Sequence, residues 1–549
     1  MTGYKILFLL FVFTIHLSSS KKIAISSSSS NDLITCTINT QLSQCVVENA
    51  TSLSCPKIVY CIENFNSYSK EFSKFEILIP SGDYTDTACP SVLPSNALQI
   101  SGTLSFTSIN SVTFNCSNQF ISLQIETPID LIFNGITFIS CQTLGNGGCI
   151  EIVTERYDTS VILNDVHSKV CSANETGGFL YSEANYNEIR NSVLNGGFST
   201  GSGGSIYALN GVVNISNSDF NFNEAGVNGG VVDANKIYVY NSLFSNNYAY
   251  QDGGALRSNQ FLYVQHSIFA NNDAADNGGA IAVIEKSYIS NTIFSGNNAQ
   301  IGGAIFSLNQ IITENSQFLN NSALNGGAIY KYSLDRPNSS GLIVVDSSFT
   351  GNLAEFGGGL GFGGAINAGL GSIYIRSTEF NSNSGYNGGA IYVANGNIPQ
   401  EIIITNSNFY NNFAHGDGGA ISVVQKYNQS VFINLNQSSF WYNSAKNIAG
   451  GLFFQTPPDS LKGGLFIDSK SSMEQSYTFN YEAIYSYNIV NVTNPIPSYY
   501  YTIFQENTTD VAKVLGVTGE CYNGIATINE RGQVLSCKCN MGGSGPTCN

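Results

Sequence analysis

A Gly-Gly pair recurs along the middle of this chain at intervals that few folds can use. Counted at the first Gly, the marks are Gly147, Gly177, Gly203, Gly229, Gly253, Gly278, Gly302, Gly326, Gly363, Gly388, Gly418 and Gly450. The intervals run 30, 26, 26, 24, 25, 24, 24, 37, 25, 30 and 32 residues. The commonest continuation is Gly-Gly-Ala-Ile, as at Gly278 to Ile281 and Gly388 to Ile391. A second motif, Phe-x-x-Asn, precedes most of the later marks and keeps phase with them. It runs from Phe220/Asn223 through Phe244/Asn247, Phe269/Asn272 and Phe294/Asn297 to Phe440/Asn443. Ser or Thr stands two residues before each such Phe, as at Ser218, Ser267 and Thr292. Two motifs in phase define a structural repeat.

One unit must close in about 24 residues, too few for a propeller blade of about 40. The stretch Ile237 to Phe244 is β-branched and aromatic, and Ala280 to Ile284 is aliphatic. Each reads as a short strand, so a unit holds at least two strands and no helix. Asn and Gly turn the chain between them. Stacked as a coil, equivalent residues lie ~4.8 Å apart, and twelve marked turns make a rod about 58 Å long. The Ile after Gly-Gly-Ala then forms an aliphatic stack, Phe an aromatic stack, and Asn and Ser/Thr hydrogen-bonded ladders.

Composition agrees with stacking of like on like. Only 11% of residues are charged, and Gly numbers 55 of 549. A charge repeated every coil would face itself and repel, whereas Asn and Ser pair donor with acceptor. The net charge of -16 excludes a phosphate-binding basic groove, and with it nucleic acid as partner.

Paired Gly-Gly-Ala-Ile and Phe-x-x-Asn resemble the repeat of polymorphic outer membrane proteins. That resemblance spans about residues 130 to 455 and implies an all-β right-handed parallel β-helix, the passenger fold of that family. Ile79 to Tyr84 resembles the first coil of pectin-lyase-like β-helices. Autotransporter members end in a membrane β-barrel of a few hundred residues. Only the stretch from residue 451 to 549 follows Gly450 here, so self-export through an outer membrane is not expected.

The ends differ from the middle. Met1 to Ser20 reads as a secretory signal peptide, with Lys5 before an apolar Ile6 to Leu17. Residues 21–74 read as a cysteine-containing N-terminal cap, 75–467 as the β-helix, 468–515 as a C-terminal cap or linker, and 516–549 as a small module. Of 13 cysteines, nine lie from Cys36 to Cys171 and four from Cys521 to Cys548. Export makes disulfides the expected use, and the odd total leaves at least one thiol. Pairing of the first nine is open. The spacing of Cys537, Cys539, Gly545 and Cys548 resembles the end of an EGF-like module, here truncated. That resemblance implies Cys521–Cys537 and Cys539–Cys548. Sequons begin at Asn49, Asn115, Asn174, Asn214, Asn320, Asn338, Asn428, Asn436, Asn491 and Asn507.

No catalytic constellation stands out. His266 and Asp346 occupy the position held elsewhere by Asn217, Asn241, Asn291, Asn315 and Asn406, so they read as ladder substitutions. Gly82 to Asp86 loosely resembles a pectin esterase motif whose later catalytic motifs are missing. His415-Gly-Asp417 falls in a variable turn. No metal or cofactor is expected, since His numbers four and no Cys-x-x-Cys occurs.

Extra length collects after the strand that follows Gly-Gly, at Val153 to Thr159, Lys331 to Ser340, Asn395 to Gln400 and Gln425 to Gln429. Insertions at one junction project from one edge, often a binding edge. A ligand face bearing Tyr332, Asp335, Arg336 and Tyr427 is the expected site. The expected protein is a secreted, monomeric, non-enzymatic β-helix acting in adhesion, matrix or glycan and protein binding, without a membrane span. The alternative is a polysaccharide lyase or hydrolase of the pectin-lyase-like superfold.

Overall fold

The computed structural model describes residues 33–454, with breaks at 50–51, 69–72, 86–101, 156–157, 333–340, 355–360, 370, 395–399, 425–430 and 448. Beyond 454 it describes only short strands. The signal-peptide stretch therefore lies outside the described residues.

The chain winds as a parallel β-solenoid. A representative coil begins at Gly278 and contains four strands, Ile281–Val283, Lys286–Ser290, Ile293–Ser295 and Asn298–Ile301. The sequence foresaw at least two. The first three belong to one continuous 43-stranded sheet and the fourth to a 13-stranded sheet of its own. Every strand pairs in parallel with its equivalent one coil on. Ile281 faces Ile305, Tyr288 faces Ile312, and Phe294 faces Phe318.

Stacking in register fixes the interior. The motif Phe residues from Phe220 to Phe440 are fully buried. Their ring centroids lie 4.5–5.1 Å apart with interplanar angles of 2–11°. Coil spacing thus imposes near-parallel rings, which dispersion and burial favour together. Beside them runs the aliphatic column Ile281, Ile305, Ile329, Ile366, Ile391 and Ile421, also at 0% exposure. N-terminal to Phe220 the column gives way to Leu194 and Ser168, then resumes as Phe138 and Phe114. There Phe179 takes the place of the usual Ala after Gly-Gly and sets its ring 5.5 Å from Phe138. A large residue in one column thereby offsets a small one in the next.

The asparagines of Phe-x-x-Asn form a buried ladder. Asn272 Oδ1 accepts from the backbone N–H of Asn247 at 3.2 Å and from its Nδ2 at 2.9 Å. Asn272 Nδ2 donates to the carbonyl of Phe244 at 3.0 Å and to Asn297 Oδ1 at 3.0 Å. Each amide so binds the coil before and the coil after. The pattern repeats from Asn223 to Asn443. A Ser/Thr ladder runs parallel to it. Ser242 Oγ donates to the carbonyl of Tyr240 and accepts from the backbone N–H of Ser218.

Both glycines of the pair have a steric cause. Gly278 adopts φ +67°, where side chains are disfavoured. Gly279 has no room for a Cβ, which would sit 2.1 Å from the Gly303 carbonyl oxygen. The last mark needs correction on this ground. Gly419 N–H donates to the carbonyl of Ala449, and Ile421 faces Leu452. Ala449 (φ +62°) therefore stands at the first-Gly position, and Gly450 at the second. The first position is left-handed and crowded as well, since a Cβ at Gly278 would sit 2.1 Å from the Ile281 carbonyl oxygen, so Ala449 is held there under strain.

The His266 and Asp346 position also has a backbone origin. Asn217, Asn241, His266, Asn291, Asn315, Asp346 and Asn406 all lie at φ of 44–50°. This is a left-handed corner, where Asn, Asp and His are enriched.

At the N-terminal end, strand Leu33–Ile38 pairs in parallel with Lys74–Ile79 and so joins the solenoid. Helix Ile58–Tyr68 buries Ile58, Cys61, Ile62 and Phe65, one face at helical spacing. Cys36–Cys61 ties the helix to the first strand, and Cys45–Cys55 joins the two short strands beside it. Cys149–Cys171 closes across a single coil, Cys116 is disulfide-bonded, and Cys141 is a buried free thiol. Near the C-terminus, Gly524–Ile528 and Val534–Cys539 form an antiparallel hairpin.

Candidate ligand-binding face

Of the four residues expected to form a ligand face, Tyr332 is described and is exposed at the end of strand Ile329–Tyr332. Asp335, Arg336 and Tyr427 lie outside the described residues. The roots of the insertions are described. Tyr332, Gly369, Ala394 and Val424 stand in one register row. The insertions therefore leave the solenoid from one edge. Lys331 belongs to the wall instead. It is fully buried, and burial lowers its pKa to about 8.

Among the sequons, Asn115, Asn174 and Asn320 are exposed, and Asn214 and Asn436 are half-buried. Asn49 lies in strand Val46–Asn49. The side chain of Asn49, and Asn338, Asn428, Asn491 and Asn507, fall outside the description, as do the bonds expected for Cys521–Cys537 and Cys539–Cys548.

His415 packs edge-on against Phe413 at 4.8 Å. Burial, and then Lys446, depress its pKa. One outward row of the first strands carries charge in its N-terminal half. Glu151, Tyr181, Tyr207, Asp233 and Arg257 follow one another in register. Arg257 Nη1 lies 3.2 Å from Asp233, whose carboxyl burial raises against the lowering effect of Arg257. At 2% exposure Asp233 acts as a structural ion-pair partner rather than a group open to a ligand.

The third strands present a different surface. Across it runs a shallow groove of ≈ 490 Å³. Gln317, Ser348, Glu379 and Asn408 form its floor in strict register. Asn315, Asp346, Ser377 and Asn406, from the left-handed corner, form one wall. Two residues beyond Asn408, on the same outward side, is Tyr410. Its register partner is Trp441, and Tyr442 follows. The ring of Tyr410 lies 6.5 Å from Trp441 at 78° and 6.1 Å from Tyr442 at 74°. Trp441 and Tyr442 are 40% and 46% exposed. Sequence reasoning passed over this face, because outward positions follow no fixed motif. The signal available was the run Phe440-Trp441-Tyr442, which places aromatic residues at both outward positions after the motif Phe, as no other Phe-x-x-Asn coil does.

A stacked parallel β-solenoid with internal Phe, Ile and Asn columns is the class these observations define. Consistent with this, the model of the Chlamydia polymorphic membrane protein (Chlamydia_PMP) repeat matches residues 315–331 and 406–424. Each matched segment runs from the left-handed corner through Phe-x-x-Asn to the strand after Gly-Gly-Ala-Ile. The chain carries this repeat. No curated protein matches the chain. Among the described residues, no helix is long and apolar enough to cross a membrane, which says nothing of membrane strands.

Proposed function

We propose that this protein is a surface-exposed or secreted β-solenoid that binds glycans or cell-surface and matrix proteins without turning them over. The repeat carries this reading. A family named for membrane proteins uses the same repeat, and the coil devotes its repeated motif residues to the interior. Outward rows are left free to vary while holding fixed spacing, which is the requirement for an extended binding surface. Export through the Met1 to Ser20 segment and an EGF-like C-terminal module belong to the same proposal. So does residence outside the cell, with no metal or cofactor required.

The test is adhesion of the full chain to cells and immobilised matrix, together with a glycan array. Saturable binding supports the reading, and no binding to any of these overturns it. Incubation of each bound glycan with the protein checks turnover. Release of new reducing ends or unsaturated products would make it an enzyme of the pectin-lyase-like kind. Replacing Tyr332, Arg336 and Tyr427 together tests the insertion edge, where unchanged binding would remove that edge from the site.

A further inference from the structure

We infer that the third-strand face holds a neutral oligosaccharide, laid across the coils in the Gln317–Asn408 groove and stacked at one end on Tyr410, Trp441 and Tyr442. The inference rests on reading the chain as a ligand-binding solenoid, and it names the site and the ligand class.

The first argument is chemical. The groove walls are amides and hydroxyls, with carboxylates from Asp346 and Glu379 and no cationic side chain. A polyhydroxylated ligand meets donors and acceptors along its whole length. A sulfated, sialylated or uronic-acid chain would meet two like charges and no counter-charge, which opposes binding. An apolar peptide would bury those amides and carboxylates without partners, at a desolvation cost.

The second argument is geometric. Interior Phe rings one coil apart lie parallel and cover one another's faces. Tyr410 and Trp441 are also one coil apart, yet they stand nearly perpendicular. An edge-to-face pair covers at most one ring face, whereas stacked rings cover two, so more aromatic face is left open here. An exposed aromatic face beside hydrogen-bonding groups suits a sugar, which has an apolar C–H side and a polar rim. The groove floor spans four coils and the aromatic residues add a fifth, about 19 Å in all at ~4.8 Å per coil. That length fits several sugar units rather than one.

The third argument concerns Tyr442. It lies at φ +53°, in a corner column whose other members include Asn246, Asn271, Gly296, Asn320, Gly351 and Asn411. A Tyr there strains the backbone by about 1 kcal/mol or more and recovers little by burial. The fold would be better served by Asn, so the ring is retained for something outside the fold. Phe222 departs from the same column eight coils away (φ +55°) without a neighbouring groove, and serves as a matched control.

Trp441 is the only Trp in the chain, so its emission reports this site alone. Full-length protein would be titrated with linear oligosaccharides of glucose, mannose and N-acetylglucosamine, and with heparin and oligogalacturonate. At least one neutral series should shift the emission to the blue and protect it from acrylamide, while the two polyanions leave it unchanged. Calorimetry on Tyr442→Asn should show at least a tenfold loss of affinity together with an unchanged or higher melting temperature. Trp441→Ala should lose binding, and Phe222→Asn should keep it. Binding by Tyr442→Asn and Trp441→Ala at the affinity of the unaltered protein would overturn the inference, as would preference for a polyanion or silence toward every neutral series. Adhesion of the same variants to cells separates the two levels. Adhesion that persists when the groove binds no sugar leaves the solenoid a binding protein with another site.

Discussion

Asn297 shows how much one side chain can hold. Its Oδ1 accepts from both nitrogens of Asn272, its own backbone N–H and Nδ2 donate to Asn321 Oδ1, and Nδ2 also donates to the Phe269 carbonyl. Asn297→Ala would strand buried donors and acceptors in two neighbouring coils. Because each stranded group costs about 1–3 kcal/mol, the loss should be at least about 3 kcal/mol, read as a lower denaturation midpoint. Asn297→Asp keeps the shape but sets an oxygen against the Phe269 carbonyl and Asn321 Oδ1. It should be worse than Ala at neutral pH and recover in acid. Lys331 makes a second case. Its folded pKa of about 8 lies below the unfolded 10.5, so between those values the unfolded chain binds more protons. Stability should therefore rise with pH across that window, by on the order of 3 kcal/mol, and the full penalty should persist below about pH 8. Lys331→Met should abolish the rise, as followed by urea denaturation at several pH values.

The strands divide into an amide-stapled set and a disulfide-stapled set. The column of ladder asparagines continues N-terminally as Gly197, Cys171 and Cys141, each one residue past the same corner as Asn223, and Cys116 lies one position off it, in register with Ser140. Reduction should therefore loosen the coils before about residue 171 while leaving those from Asn223 to Asn443 protected, a contrast visible by amide hydrogen exchange. Cys141 should resist alkylation in the native protein, because burial pushes its thiol pKa to about 12, and should react once the chain unfolds. These columns mark what could be read from residues alone. Phe-x-x-Asn and Gly-Gly-Ala-Ile name interior positions, where neighbours stacked at one spacing leave few acceptable side chains. They announced the fold, the Phe stack and the Asn ladder. The groove was not legible, since Gln317, Ser348, Glu379 and Asn408 are four different residues that share only an outward direction. Tyr332 could be placed from the insertion pattern, because its row is set by the wall beneath it. The four-strand division of the coil was also hidden, as the fourth strand spans only two residues in most coils.

Because each coil touches only its neighbours, removing one whole coil should shorten the molecule without unfolding it. Deleting residues 297–320 joins Gly296 to Asn321, the equivalent of Asn297 one coil on. Small-angle scattering should show a folded rod shorter by ~4.8 Å, with a modest fall in melting temperature. A deletion of the same length minus one residue should fail, since every column would slip its register. The ladder also has a direction. Ladder amides donate their backbone N–H and one Nδ2 hydrogen toward the C-terminal side, so a coil is complete only when its successor arrives. A chain emerging N-terminus first would fold as a zipper whose teeth engage behind the exit point. Each engaged coil completes the hydrogen bonds of the one before it, so folding would keep pace with emergence and leave one open ladder end at a time.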